Sequence, residues 1–163
     1  MIKTKELKLI ELTFENIDKA YEIDRTDIPY DYVEDVQTLA DIMKYGADNN
    51  LIGHAYLAEY GGKPIGTIML GEGIVGDADP AELQNRPFYR LMFFVLDKDY
   101  RGNGLGTEMM EEAISRIYSE FGKRPILLEV QQNNEKAARF YEKNGFMKTT
   151  YSVGNDNYFV RGL

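Results

Sequence analysis

A glycine-rich loop between an apolar run and a helical pattern constrains this chain more than any other feature. Residues 91–96 are apolar, residues 101–106 read Arg-Gly-Asn-Gly-Leu-Gly, and Met110, Ile114 and Ile117 then recur at helical spacing. Glycines let the backbone approach a ligand, and the unpaired N–H groups at a helix start favour an anion. The segment therefore predicts a strand, a phosphate-binding loop and a helix. The alternative is a tight surface turn in which the glycines only relieve steric crowding.

Length and composition predict one folded domain, residues 1–163, because 163 residues suit a single domain and 44% of them are hydrophobic. Cysteine is absent and His54 is the one histidine, so no disulfide framework and no metal are expected. No apolar run approaches the length of a membrane span, and the N-terminus lacks a signal-peptide core. We therefore expect a cytoplasmic protein that has no membrane partner.

The formal net charge of −8 restricts the partners of the chain. Nucleic-acid binding needs lysine and arginine side chains that displace phosphate counterions, so a nucleic-acid partner is not expected. A negative field instead attracts cations. The alternative is that the charge only keeps the protein soluble.

Hydrophobic periodicity and turn residues predict seven strands and four helices. Strands are expected at residues 8–12, 55–59, 65–70, 91–96, 126–130, 146–152 and 158–161. Helices are expected after Thr13, from Val33 to about Gly46, after the glycine loop, and from Asn133 or Asn134 to Asn144. The interleaved order predicts an α/β fold with a mixed sheet and helices on both of its faces.

Two better-known phosphate loops do not fit the glycine spacing. A dinucleotide-binding fingerprint needs glycines at offsets zero, two and five, but the fifth offset from Gly102 is Thr107 and from Gly104 is Met109. A P-loop needs Gly-Lys followed by serine or threonine, and this triplet does not occur. A dehydrogenase and a P-loop NTPase are therefore not expected.

The loop instead resembles the signature of the GNAT superfamily, the acetyl-CoA-dependent N-acetyltransferases. That signature is Arg/Gln-x-x-Gly-x-Gly/Ala after a strand, and Arg101, Gly104 and Gly106 occupy its fixed positions, with Tyr100 before them.

A second segment, residues 128–146, is similar to the other hallmark of this superfamily. Asn134 follows Val130 by four residues, Tyr141 follows Asn134 by seven, and Gly145-Phe146 ends the helical pattern. The two segments occur in the order that the family shows, so the chain is identified as a member of it.

The resemblance implies a fold, a reaction and a co-substrate. The GNAT fold is an α/β fold of mixed α+β type, with a central, mixed, mostly antiparallel twisted sheet of six to seven strands flanked by about four helices. The implied reaction is direct transfer of an acetyl group from acetyl-CoA to a primary amine, without a metal. Many relatives pair, so a homodimer is expected by resemblance.

The resemblance also implies which residues bind the co-substrate. The loop amides would bind the pyrophosphate, which assigns cofactor contacts to Arg101, Gly102, Asn103, Gly104, Leu105, Gly106 and Thr107. The strand before the loop would splay from its neighbour, and the backbone amide of Val95 would polarise the thioester carbonyl. Asn134 resembles a cofactor-contacting asparagine, although it is equally suited to cap a helix.

Two catalytic residues are implied. Tyr141 would protonate the leaving thiolate, since a phenol with a pKa near 10 keeps its proton at neutral pH; the alternative is a core tyrosine beside Phe140. Glu129 would be the general base, the alternatives being an exposed strand carboxylate, Glu72 as the base, or proton loss through ordered water. His54 is expected to be structural.

The acceptor is the least defined part of the prediction. Carboxylates and tyrosines concentrate around Pro29 and after Glu72, and both suit a cationic amine, although they could equally be solvated surface groups. A small polyamine-like amine is expected first, a peptide or protein N-terminus second and an aminoglycoside third. Two readings without catalysis stay open. One is a regulatory domain that binds acetyl-CoA without turnover, against which Tyr141 argues, and the other is an interaction module that binds no cofactor.

Overall fold

The computed structural model describes residues 6–163, and its centre is one sheet of seven strands. The strands are β1 (Leu7–Glu11), β2 (Gly53–Tyr60), β3 (Lys63–Glu72), β4 (Tyr89–Leu96), β5 (Ile126–Gln131), β6 (Met147–Val153) and β7 (Asp156–Arg161). Their spatial order is β1-β2-β3-β4-β5-β7-β6. Only β4 and β5 pair in parallel, and all other neighbours are antiparallel. The predicted mixed, mostly antiparallel sheet is confirmed.

Three α-helices and one longer 3₁₀ helix accompany the sheet among the described residues. They are the 3₁₀ helix Ile17–Glu22, α1 (Val36–Asp48), α2 (Leu105–Phe121) and α3 (Glu135–Lys143). Two three-residue 3₁₀ turns, Ala81–Leu83 and Lys98–Tyr100, lie in the connections on either side of β4.

The helices cover both faces of the sheet, as the sequence predicts. On one face, α2 and α3 pack on a cluster that includes Met109, Ile117, Leu128 and Phe146. On the other face, the 3₁₀ helix and α1 pack on a second cluster that includes Ala20, Leu39 and Phe93. Strand β4 contributes side chains to both clusters and therefore lies between the two helical layers.

The helix predicted after Thr13 is wrong in type, because the segment forms a 3₁₀ helix that buries little. Phe14 and Tyr21 are 57% and 61% exposed, and only Ala20 is buried in the 3₁₀ helix. Asn16 bonds the Thr13 N–H and the Glu11 carbonyl with its side chain, which draws the segment into local turns and away from an α-helix.

The second helix is real but has different ends. It begins after Asp35, whose carboxylate accepts the Thr38 N–H at 2.9 Å, and it ends at Asp48. Gly46 therefore lies inside the helix, where the sequence predicts its end, and Val33 lies before the start.

The helices are too short or too polar to cross a bilayer, as far as residues 6–163 are concerned.

Candidate functional site

The glycine loop has a backbone conformation that its glycines make possible. Gly102 and Gly104 have φ angles of +84° and +80°, which side-chain-bearing residues rarely adopt. A Cβ atom at either position would meet nothing within 4 Å. Both glycines are exposed, so their left-handed conformation and the open space above them explain the residue type, and close packing does not.

The loop leaves a run of backbone N–H groups without an acceptor in the described part of the chain. Among residues 6–163, no backbone or side-chain acceptor bonds the N–H groups of residues 101–107. Gly104 caps α2 without a side-chain bond, and the first intrahelical bond runs from the Glu108 N–H to the Gly104 carbonyl at 3.1 Å. Free N–H groups at the positive end of a long helix form an anion site. These residues therefore fit a diphosphate.

The third glycine of the loop, Gly106, has a packing role instead. A Cβ atom there would lie 3.3 Å from the Phe140 ring and 3.6 Å from the Phe94 ring. Phe94 and Phe140 stack with centroids 5.5 Å apart. Gly106 thus lets α3 pack closely against the start of α2.

Strands β4 and β5 separate beside this loop. They pair only at Tyr89 with Ile126 and at Arg90 with Leu127. Both strands run in the same direction, so the gap opens toward their carboxyl ends, where the chain enters the glycine loop. The predicted splay is observed.

A β-bulge accompanies the separation. Two residues of β4 oppose one residue of β3 between the pairs Met69–Met92 and Thr67–Val95, and Phe93 has a φ of +54°. Met92 and Phe93 both contribute to the cluster beneath α1, although neighbouring strand residues normally alternate. The bulge bends β4 and directs its later peptide groups differently from a regular strand.

The register of β4 against β3 bears on the predicted amide contact of Val95. The Asp97 N–H donates to the Ile65 carbonyl of the β2–β3 hairpin at 2.6 Å, so peptide groups two residues earlier point the same way. The Val95 peptide therefore faces β3. The peptide groups of Phe94 and Leu96 face the gap and are the better candidates for polarising a carbonyl there.

Tyr141 lies beside the unpaired part of β4. Its ring meets the rings of Phe94, Phe140 and Phe146 edge-on, with centroids 6.2, 5.4 and 5.6 Å away. Burial raises the pKa of its phenol above the usual value, so the hydroxyl keeps its proton at neutral pH. No hydrogen bond of this hydroxyl occurs within the part of the chain that the structure describes. The surroundings suit a proton donor.

Asn134 caps α3. Its side-chain oxygen accepts the Ala137 N–H at 3.3 Å. The capping alternative is therefore realised, and the amide nitrogen of Asn134 has no partner among the described residues.

Arg101 uses its side chain within the protein. Its Nε donates to the Leu96 carbonyl at 2.8 Å, and its two terminal nitrogens bind the Asp27 carboxylate at 2.5 and 3.1 Å. The backbone N–H of Arg101 remains available to an anion, whereas its guanidinium is already paired.

Glu129 lies on the opposite side of the sheet from Tyr141, because its neighbours Leu128 and Val130 pack on the α2–α3 side. Its side chain is 41% exposed and lies 3.8 Å from the Arg90 guanidinium. Burial first, and then the charge of Asp156, raise its pKa, while Arg90 acts in the opposite direction. A raised pKa brings a carboxylate closer to the range of a useful base at neutral pH.

Four carboxylates from three parts of the chain share this side of the gap. Asp31 and Glu34 precede α1, Glu129 is on β5, and Asp156 begins β7 opposite Gln131. The pKa values of Glu34, Glu129 and Asp156 are all raised, and burial is the largest cause for each. The charges of other carboxylates add to the rise, whereas Arg90 opposes it at Glu129 and the hydrogen bond with Glu129 opposes it at Asp156. We call these four residues the acidic cluster.

The carboxylates of the acidic cluster are dispersed. Among residues 6–163, no three His, Asp or Glu side chains gather closely enough to hold a metal ion. The sequence does not predict a role for Asp156. Its position at the start of β7, directly after the turn, is the feature that could have indicated one.

Two other candidates lie away from the gap. Glu72 pairs with Tyr89, at the closed end of β4 and β5. His54 lies between Glu11 and Glu120, 2.8 Å from each, near the C-terminal end of α2. The two contacts of His54 support a structural role for it. Glu72, the last residue of β3, lies beside the start of β4 and away from the open end of the gap.

The fold and the site together define an acyltransferase-like architecture, in which a glycine loop, a splayed strand pair and a tyrosine surround one gap. Comparison with known proteins agrees. The sequence model of the acetyltransferase (GNAT) family matches residues 14–146, and the chain belongs to this family.

Individual relatives are distant. A probable spermine N(1)-acetyltransferase of Bacillus subtilis subsp. natto is 36% identical over 53 residues, which are 32% of this chain and 35% of that protein. N-alpha-acetyltransferase 30 of Schizosaccharomyces pombe is 35% identical over 51 residues, 31% of this chain and 33% of that protein. The chain thus aligns with about a third of the length of each of these relatives.

Solved structures share the fold over nearly the whole chain. The PaiA N-acetyltransferase of Thermoplasma acidophilum, solved in complex with coenzyme A, superposes with a TM-score of 0.71 at 20% identity and covers 97% of this chain and 99% of its own. A spermidine N-acetyltransferase SpeG chimera of Vibrio cholerae and hSSAT gives 0.66 at 15% identity, covering 95% and 94%.

Proposed function

We propose that this protein is an N-acetyltransferase that transfers an acetyl group from acetyl-CoA to a primary amine of a small polycationic acceptor. The observation that carries the proposal is the position of the acidic cluster, which lies at the same gap as the glycine loop but on the other side of the sheet. A thioester entering from the loop and a cation entering from the acidic cluster would meet between β4 and β5.

The binding residues are assigned as follows. The free N–H groups of residues 101–107 bind the diphosphate of coenzyme A, and the gap-facing amides of Phe94 and Leu96 polarise the thioester carbonyl. Bound acetyl-CoA supplies the acetyl group in an activated form. These contacts need no metal.

Two side chains handle protons on opposite sides of the gap. Glu129 takes the proton that an ammonium must lose before it has a lone pair to attack with, either directly or through one water. Tyr141 holds the proton that the departing sulfur requires. Their separation by the sheet keeps the base and the acid from exchanging this proton directly.

The choice of acceptor rests on charge. Carboxylates attract an extended amine, and the net charge of −8 concentrates cations near the protein. The names of two similar proteins, a probable spermine acetyltransferase and a spermidine acetyltransferase chimera, agree with this choice. A peptide N-terminus is the second candidate, since another similar protein is named an N-alpha-acetyltransferase.

An amine panel tests the proposal. Thiol release from acetyl-CoA is measured with spermine, spermidine, an aminoglycoside and short peptides that have free N-termini. We expect the highest kcat/KM with the polyamines and a strong loss at high salt, because the attraction is electrostatic. A higher kcat/KM with the peptides would identify a peptide N-terminus as the acceptor. A thermal shift by acetyl-CoA without thiol release would indicate a regulatory domain.

A further inference from the structure

Two residues of the short segment 24–27, Asp24 and Asp27, contact the connection between β4 and α2. The Asp24 N–H donates to the buried Asp97 carboxylate at 2.9 Å, and the Asp24 carbonyl accepts the Lys98 N–H at 3.1 Å. The Lys98 ammonium lies 3.3 Å from the Asp24 carboxylate. The segment is therefore fixed to the chain just before the glycine loop.

Asp27 extends this attachment to the loop itself. Its carboxylate accepts hydrogen bonds from both terminal nitrogens of Arg101, and the Nε of Arg101 donates to the Leu96 carbonyl. A planar guanidinium that binds a carboxylate with two parallel bonds fixes the orientation of both groups. Arg101 thus connects the end of β4, the glycine loop and residue 27.

Arg25, in the same segment, also holds the start of the acidic cluster. Arg25 donates from one terminal nitrogen to the Glu34 carbonyl at 2.8 Å and from the other to the Val33 carbonyl. Asp31 and Glu34 lie in the segment that these bonds fix, directly before α1. One short segment therefore contacts both sides of the gap.

We propose that Asp27 and Arg101 are positioning residues that couple occupancy of the glycine loop to the arrangement of residues 28–35, where the acceptor binds. The proposal rests on the function proposed above for the location of the acceptor. An anion that fixes the loop amides also fixes Arg101, and through Asp27 and Arg25 it orders the carbonyls beside Glu34. Because binding coupling is reciprocal, a bound acceptor strengthens binding of acetyl-CoA by the same factor.

This role differs from that of a phosphate ligand. If Arg101 bound the diphosphate with its side chain, Asp27 would compete with the ligand, and removing the Asp27 charge would strengthen cofactor binding. If Arg101 positions residues 28–35, removing that charge weakens acceptor binding and leaves cofactor binding nearly unchanged. The two roles therefore predict opposite results.

The kinetic test uses Asp27→Asn, Asp27→Glu, Arg101→Gln and the Asp27→Asn/Arg101→Gln double variant. We expect Asp27→Asn to raise the acceptor KM about three- to tenfold, with the acetyl-CoA Kd changed less than about twofold and kcat little affected. Asp27→Glu should restore most of the acceptor affinity, and the double variant should raise the acceptor KM no more than the larger single effect.

A matched control comes from another exposed ion pair. Asp48→Asn breaks the contact between Lys44 and Asp48 on α1 and should leave every constant unchanged. Tighter acetyl-CoA binding by Asp27→Asn, or an unchanged acceptor KM, would overturn the proposal.

A second measurement does not need the acceptor. Hydrogen exchange of the amides of residues 28–35 is followed with and without coenzyme A. We expect slower exchange with coenzyme A in the unmodified protein and in Asp48→Asn, and no slowing in Asp27→Asn. Unaltered exchange in the unmodified protein would refute the coupling. Failure of the proposed acceptor class would instead appear as absent thiol release with the polyamines, so the two failures are distinguishable.

Discussion

The Phe140 ring lies 3.3 Å from the point where a Cβ atom on Gly106 would stand. This contact joins the start of α2 to α3 and places Tyr141, the next residue, beside the unpaired end of β4. A glycine in the anion loop thus determines the position of the proposed acid.

Gly106→Ala should therefore reduce both stability and turnover. The added methyl group must push Phe140 away, and overpacking of this kind costs about 1–3 kcal/mol. We expect a lower free energy of unfolding and a reduced kcat. Gly46→Ala is the matched control, because Gly46 lies in α1 with nothing within 4 Å of its Cβ position. Alanine there should stabilise the protein by about 0.5–1 kcal/mol. Equal unfolding free energies for the two variants would contradict the packing role of Gly106.

Gly104→Ala should weaken acetyl-CoA binding more than it destabilises the fold. Its φ of +80° costs an alanine about 1–2 kcal/mol, and the new methyl group would occupy the space that the diphosphate needs. Gly62→Ala provides the comparison, since Gly62 has a φ of +81° and equally open surroundings in the β2–β3 turn. We expect similar losses of stability in denaturant titrations. Only Gly104→Ala should weaken cofactor binding in calorimetry, and equal affinities would place the diphosphate elsewhere.

Tyr141→Phe should lower kcat by about 10²–10⁴-fold and leave the acetyl-CoA Kd nearly unchanged, because the variant lacks only the proton donor. The raised pKa of Tyr141 means that the acid form persists to higher pH than for an ordinary tyrosine. Any loss of turnover from ionisation of Tyr141 should therefore begin only at more alkaline pH. Tyr45→Phe, at an exposed position of α1, should behave like the unmodified protein. An unchanged kcat in Tyr141→Phe would show that Tyr141 contributes only to packing.

The acid side of the pH profile should report Glu129. A base works when it is deprotonated, so kcat/KM should fall as the pH falls through the raised pKa of Glu129. Asp156→Asn removes a like charge and should move this fall to lower pH. Arg90→Gln removes a cation and should move it to higher pH, although it also breaks the ion pair with Asp79. Shifts in the same direction, or a normal profile for Glu129→Gln, would exclude Glu129 as the base.

Glu129 should also influence stability with a defined sign. Its pKa is higher in the folded protein than in an unfolded chain, so the folded state holds the proton more tightly. Its contribution to stability is therefore largest below the unfolded pKa and declines as the pH rises through the folded pKa. We expect Glu129→Gln to lose this decline in thermal unfolding measured across the acidic range, with Glu15→Gln, on an exposed turn, as the control. Retention of the decline in Glu129→Gln would assign it to other groups.

The sequence predicted the elements that local interactions decide. Glycines that need positive φ angles, a cap at Asn134 and the apolar run of β4 are properties of short segments, and the structure has each of them. The failed prediction of a helix after Thr13 is equally instructive, since Asn16 satisfies backbone groups locally and only one residue of the segment is buried.

The sequence could not predict which backbone groups face the gap. A bulge at Phe93 changes which peptides of β4 point to β3, and its presence depends on how β3 packs against β4. The Val95 peptide therefore faces β3, and the peptides that face the gap lie one position to either side of it. Asp156 was missed for a related reason, because it meets Glu129 only through the pairing of β5 with β7.

The glycine loop, the order of helices and strands, and the family of the chain can be recognised in the sequence, because they depend on residue types at fixed short spacings. Three relationships become visible only in the folded protein: Arg101 binds Asp27, four separated carboxylates share one side of the gap, and Gly106 sets the place of Tyr141. Such relationships join residues far apart in the chain, and strand register and helix packing alone bring them within contact distance.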